Sequence, residues 1–497
     1  MAFLAVATGL SAQYKPIDSL RITRGKADTV AMGVYTVVGL APQDSRVTVN
    51  GKQVTVYKTG SFGTMVDLTI GTNPIEVVCT PSAKRADGAL QRTSFDVVFD
   101  PSYQSTRSTV APQPAPALRD EPFVANGKTL EGAFLNYGPG DDRLGGAKIN
   151  FLAAGIPLRI TAKNGDLYRV QLSERRWAYI PQEYVALDVE PLIGGYPALT
   201  PYCLSGSWSV SNAGVTDQVR IALDDMRPYT VFEEIDPLRL SVDLHGVVCN
   251  SNWLTQYRDL QVIKDVHLEQ RESDVLRVII DLNGPFVWGY DLSYENKALV
   301  ITIKHAPKAA GKKLVLADLA IGVDAGHGGT ALGAVSNACY QEKDQNIAMA
   351  YLLKEMLEKE GARVVLSRKG DEELTMTERK ALFRDANVDL VLSIHCNAGG
   401  NPVTTGGTST YYRHIYHRAI AAHILDSMLQ LENVQNFGLV GNFNFSLAAP
   451  TYIPGILVET LFMSYLPDEE RVVNPEYQKE MMHHVVDGLK AFINELP

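Results

Sequence analysis

Seven residues, VDLVLSI at 388 to 394, constrain the fold of this chain more than any other stretch. The run is nearly unbroken in apolar character and far too short to span a membrane, so it reads as a β-strand covered on both faces. Such a strand needs helices on either side of its sheet, and the neighbouring sequence provides them. In DQNIAMAYLLKEMLEKEG the apolar residues Ile347, Ala350, Leu353 and Leu357 fall at helical spacing, and Gly361 can take the left-handed conformation that ends a helix. The strand ARVVLS follows. Thr375 and Glu378 then form a capping box for a helix that runs to about Ala386. Beyond VDLVLSI, a helix through IAAHILDSMLQL and a strand PGILVE repeat the alternation. Residues 313–497 are therefore expected to form an α/β domain with a largely parallel sheet flanked by helices.

The chain has 497 residues, room for about three or four domains, and the sequence before Lys313 is patterned for β-structure. RVTVNGKQVTVY alternates around Asn50-Gly51, the dipeptide suited to a two-residue hairpin turn. With GSFGTMVDLTIGTNPIEV it marks 17–100 as a β-sandwich that resembles immunoglobulin-like accessory modules. The Pro-rich stretch 101–122 reads as an extended linker. In 123–190, PLRITAKNGDLYRVQLSERRWAYIPQEYV has short strands joined at Asn164-Gly165. Tyr168, Trp177 and Tyr179 are expected to fill the core of what resembles a small Src-homology-type barrel. VRIAL, LRLSVDL, LRVIIDL and ALVITI make 205–305 a further β module. The whole is expected to be multidomain, with amino-terminal all-β modules followed by the α/β domain.

Charge and targeting narrow the partners. A net charge of -10 offers no basic field for nucleic acid. MAFLAVATGLSAQYKP, residues 1–16, has the apolar core and small residues of a signal segment cleaved before Gln13, although no basic residue precedes Lys15. The expectation is an exported protein, periplasmic in a Gram-negative envelope, with no integral membrane segment. Of the five cysteines, Cys203 and Cys249 fall in one β module and could pair, while Cys339 and Cys396 flank the motifs below without metal-type spacing.

In open α/β sheets, ligands bind beyond the carboxyl ends of the strands. His327 follows IGVD, His395 follows VDLVLSI and Glu459 follows PGILV, so the three converge on one crevice. Glu342 stands where a loop enters the long helix on the same side. Two imidazoles and a carboxylate suit a catalytic zinc with its fourth position open. Blander readings exist: each histidine could be structural, and Glu342 could simply favour its helix dipole. A phosphate cradle at DAGHGG is disfavoured, because neither a Gly-Lys-Ser/Thr ending nor GxGxxG is present.

VDAGHGG, QEKDQNIA, LSRKGD, VLSIHCNA, GGTSTYY and ILVETLFMS, in that order, resemble the zinc-dependent N-acetylmuramoyl-L-alanine amidases of the bacterial cell wall. The resemblance covers 313–490. It implies that His327, Glu342 and His395 bind zinc, that Glu459 acts on the attacking water, and that peptidoglycan is the partner; Asn397 is a candidate donor to the substrate carbonyl. The family often has Pro where Ala325 stands and Asn where Tyr465 stands, and neither is a ligand position. Residues 205–305 resemble the AMIN module that localises such enzymes on the envelope. Some family members carry an insertion after the second histidine motif that plugs the zinc site as a helix. Here only GGNPVT intervenes, too short for two helical turns, so an open site is expected, with the β modules acting through their hold on the wall. An activator protein is left open. Two other classes compete: a zinc peptidase cutting stem peptides, and a non-catalytic envelope-binding protein.

Overall fold

The computed structural model describes residues 14–25, 28–82, 89–103, 119–140, 147–188 and 202–496. The apolar start up to Gln13 and most of the Pro-rich stretch, 104–118, lie outside the described residues, with the readings made there.

Alternating sequence builds the amino-terminal part. Between Arg21 and Phe99 there are two sheets, one of three strands and one of five, whose inward residues Val37, Phe62, Ile75, Val77 and Val97 meet in one buried core. Asn50 and Gly51, at φ 47 and 78, turn the chain between the paired strands Arg46–Val49 and Lys52–Val54.

From Glu121 to Leu187 a single sheet of seven strands forms. Its turn lies at Gly165-Asp166, one residue beyond the expected place, because Asn164 is still paired with Leu167. Tyr168 enters the core, but Trp177 and Tyr179 do not share it. They alternate with buried Ala178 and Ile180 on the outer face, where Trp177 is 48% exposed beneath the Arg169 guanidinium. Strands from Cys203–Asn212 to Ala298–Lys304 form two further sheets, and buried residues from Ala133 to Ile303 make one continuous cluster. Cys203 and Cys249 do not pair; both are free. The Cys203 thiol faces the Asp225 carbonyl at 3.4 Å and Gln270 holds the Cys249 amide.

The carboxyl-terminal sheet has six strands: β1 (Ala320–Ala325), β2 (Arg363–Leu366), β3 (Leu390–Asn397), β4 (Thr408–Tyr411), β5 (Asn436–Val440) and β6 (Gly455–Phe462), in the order β2-β1-β3-β6-β4-β5. The sheet is mixed: β4 runs antiparallel to β6 and the other pairings are parallel. Helices α1 (Glu342–Lys359), α2 (Met376–Asp385), α3 (Arg418–Met428), α4 (Leu466–Val472) and α5 (Pro475–Glu495) pack around it. VDLVLSI is covered twice, as its composition demands. Leu390, Leu392 and Ile394 join the core formed with α1, α3 and α5, while Val391 packs with Phe383 of α2 and with Leu447 and Ile453. No helix among the described residues is long and apolar enough to cross a membrane.

Candidate metal centre

The chain passes from β1 through α1 outward to β2, and then through α2 back to β3 on the other side of β1. The crevice between β1 and β3 is therefore where the strand order reverses, and their carboxyl ends open into it. His327 lies two residues past β1 at φ 61, His395 lies near the end of β3, and Glu459 is its direct neighbour on β6. Two glycines make the space. A Cβ at Gly326 would lie 2.2 Å from the His395 ring, and one at Gly333 would lie 2.4 Å from a Glu342 carboxylate oxygen.

His327, Glu342 and His395 each offer a ligand atom, all within 4.8 Å of one another. Nε2 of His327 is 3.2 Å from Oε2 of Glu342, and Nδ1 of His395 is 3.0 Å from Oε1. The carboxylate also accepts from the Ala334 and Cys396 amides and from Asn346 Nδ2, at 2.8, 3.1 and 3.0 Å. Burial alone would raise its pKa, but hydrogen bonds from the two histidines hold it well below the usual range. His395 shows the mirror effect: burial opposes the charged ring, yet Glu342 and Glu459 raise its pKa. A carboxylate between two imidazoles is a donor set suited to a cation. Two enclosed polar atoms, Nε2 of His395 and Oε2 of its strand neighbour Glu459, have no hydrogen-bond partner among the described residues.

Glu459 stands apart from that trio. Burial pushes its carboxyl up to about 7, with His395 pulling it down and Glu342 repelling its charge. A group poised there can both take and return a proton near neutrality. Asn397 is spoken for in part, since its amide donates to the Tyr411 hydroxyl at 3.3 Å. Between β3 and β4 the chain makes only turns, with no helix over the site. The Phe445 ring does approach, 5.8 Å from that of His395 between centroids.

The sequence reading missed two buried arginines behind the histidine loop. Arg379 of α2, 1% exposed, pairs with Asp324 at 2.5 Å and donates to the Ala325 and His327 carbonyls at 2.8 and 2.6 Å. Arg368 donates to the Ala325 and Gly326 carbonyls at 3.0 and 3.2 Å. One signal was available: Arg379 is four residues before Phe383, so it lies on the buried face of α2.

A sequence profile of the family described as N-acetylmuramoyl-L-alanine amidase matches residues 321–491. The uncharacterized protein YqiI of Bacillus subtilis is 32% identical over 177 residues, 35% of this chain and 84% of YqiI. The probable cell wall amidase LytH of Staphylococcus aureus is 31% identical over 186 residues, 37% of this chain but 59% of LytH. The solved N-acetylmuramoyl-L-alanine amidase AmiC2 of Nostoc punctiforme shares 28% identity across 36% of this chain and 98% of its own, at a TM-score of 0.34.

Proposed function

This chain belongs to the N-acetylmuramoyl-L-alanine amidase family, and on that premise we propose that it hydrolyses the amide between the lactyl group of N-acetylmuramic acid and L-alanine of the stem peptide, with zinc as cofactor. The observation that carries this reading is the His327–Glu342–His395 trio, buried except for the half-buried His327, with Glu459 on the strand next to that of His395.

His327, Glu342 and His395 would hold the metal. When bound, zinc supplies a Lewis acid that polarises the amide carbonyl and lowers the pKa of water to about 7. Glu459 takes the proton of the attacking water and delivers it to the nitrogen of the leaving L-alanine, so that one water yields a lactyl carboxylate and a free amine. Arg379 and Arg368 hold the carbonyls of 325–327, which keeps His327 turned inward. Asn397, whose amide donates to the Tyr411 hydroxyl, would orient the substrate carbonyl. The substrate is extracytoplasmic, so we place the enzyme outside the cytoplasmic membrane, in the periplasm if the envelope is Gram-negative. The β modules, the AMIN-like one included, would hold it on the wall and raise its local concentration there.

Digestion of purified sacculi followed by mass spectrometry of the fragments tests both activity and bond choice. Glycans with bare lactyl groups and intact stem peptides beginning at L-alanine are expected. Shortened stems still attached to glycan would identify a peptidase instead. A chelator should abolish the products and added zinc should restore them; products that persist in chelator would rule out the metal role.

A further inference from the structure

The first β module touches α4 at Glu469 and Glu470 and the β3–β4 connection at Asn401, and several of its remaining contacts fall on the segment that leads into Glu342. Residues 334–341 form a small hairpin in which Val335 bridges Gln341 and the Ser336 amide donates to the Tyr340 carbonyl at 2.9 Å. At its base Ala334 and Glu342 are joined twice. The Glu342 amide donates to the Ala334 carbonyl, and the Ala334 amide donates to the Glu342 side chain, both at 2.8 Å. The hairpin is therefore one of the supports of the carboxylate, beside the Cys396 amide and Asn346.

The tip of this hairpin is gripped from outside the catalytic domain. Asn337 Nδ2 donates to the Gly39 carbonyl and the Ser61 hydroxyl, each at 3.0 Å. The Lys15 amide donates to the Tyr340 hydroxyl and Lys15 Nζ to the Cys339 carbonyl, both at 2.7 Å. Ile17, Leu40 and Ala338 close an apolar contact between them. Glu469 of α4, fully buried, ties the two sides: it accepts from the Ala338 amide at 2.7 Å and from the Thr59 hydroxyl at 3.1 Å. Cys339 is held at φ 61, a conformation a non-glycine residue keeps only when its surroundings enforce it.

We infer that the first β module is a working part of the metal centre: by holding the 334–341 hairpin it fixes the Glu342 carboxylate and so sets the chain's affinity for zinc. This rests on the metal reading above. Thr59, Ser61 and Asn337 are positioning residues, acting on the metal only through Glu342. The module then does more than hold the enzyme on the wall, and its docking couples the rest of the chain to the site.

The test uses the full chain carrying Thr59→Val and Ser61→Ala, which loosens the grip from the module side and changes no residue of the catalytic domain. Two quantities are read: zinc affinity, by competition with a chromophoric chelator, and amide exchange over 334–341, by mass spectrometry. The expected result is faster exchange in the hairpin and about tenfold weaker zinc binding, the low end for outer partners of metal ligands. Unchanged zinc affinity overturns the inference, whether or not exchange has quickened. If that variant does not fold, Lys15→Ala decides, at an exposed contact; weaker zinc binding by a smaller factor supports the inference and unchanged binding overturns it. A wild-type chain that binds no zinc would count against the metal reading itself, and that result is obtained before any variant is made.

Discussion

At the scale of single residues, the proposed function assigns metal holding and proton transfer to different side chains. His395 contributes a ring nitrogen at 3.0 Å from the Glu342 carboxylate, while Glu459, beside it on β6, has an enclosed oxygen with no partner. His395→Ala should leave two donors and a chain that retains no zinc after dialysis; stoichiometric zinc in that variant would remove His395 from the ligand set. Glu459→Gln keeps shape and volume but cannot take a proton. We expect full zinc occupancy with turnover lowered at least about a hundredfold, read as release of free L-alanine amine from soluble muropeptide. Wild-type turnover in that variant would take the proton-transfer role from Glu459. The convergence of the two histidines and Glu459 was legible because each follows a short run that reads as a strand. Arg379 was missed although its spacing from Phe383 marks the buried face, since a charged residue on an amphipathic helix is ordinarily solvated; fully buried Asp324 and the Ala325 and His327 carbonyls explain its inward turn.

At the scale of elements, local chemistry in the sequence carried well. Thr375 accepts from the Glu378 amide and Glu378 returns the bond, so α2 begins where the capping box places it and its cap falls at Ala386. In α1, Ala350, Leu353 and Leu357 are buried and Gly361 sits at φ +90. Ile347 is only half-buried, because Asn346 takes the inward place and bonds Glu342. What pattern could not supply was the direction of β4, whose antiparallel pairing with β6 makes the sheet mixed, because strand direction depends on a long connection rather than on the strand's own residues. The outward phase of Trp177 was lost for a similar reason: aromatic content alone does not say which face a strand turns inward. The role of α2 is testable through Arg379. Arg379→Met leaves the Asp324 carboxylate buried and unpaired, and should cost on the order of 3 kcal/mol in urea unfolding. Adding Asp324→Asn should recover part of that loss. Additive losses in the double variant would show that the two residues are not coupled.

At the scale of the whole molecule, titratable groups gather where the catalytic domain meets the third β module. Glu233, on the strand Tyr229–Ile235, accepts from the Tyr290 hydroxyl at 2.7 Å and pairs with Nδ1 of His414 at 2.8 Å, while Nε2 of His414 faces the Ala449 carbonyl at 2.9 Å. Arg413 reaches the Lys148 carbonyl of the second β module at 2.6 Å, and Tyr416 bonds the Arg239 carbonyl of the third. Burial alone would raise the Glu233 pKa, but His414 and the Tyr290 hydroxyl hold it down to about 2. Burial, reinforced by His414, pushes His417 down to about 3, and burial pushes His245 in the module's core down to about 4. All three folded values lie below their unfolded ones, so the unfolded chain binds more protons in acid. Their stabilisation is complete above the unfolded histidine value of about 6.5. It declines first as His417 and His245 favour the unfolded state on protonation, and further below about 4.5 as Glu233 does the same. For Glu233 alone the drop from 4.5 to about 2 corresponds to about 3 kcal/mol when traversed. The contribution of these three groups to the urea midpoint of the full chain should therefore be level from about pH 7 upward and fall from about pH 6.5 toward pH 3, against the opposing contribution of Glu459, whose carboxyl burial raises to about 7. Replacing His417 with Gln should flatten the upper part of that fall and leave the part below about pH 4.5 in place. A His417→Gln variant whose midpoint runs parallel to that of the wild type from about pH 7 to about pH 4.5 would show that His417 does not contribute to the fall.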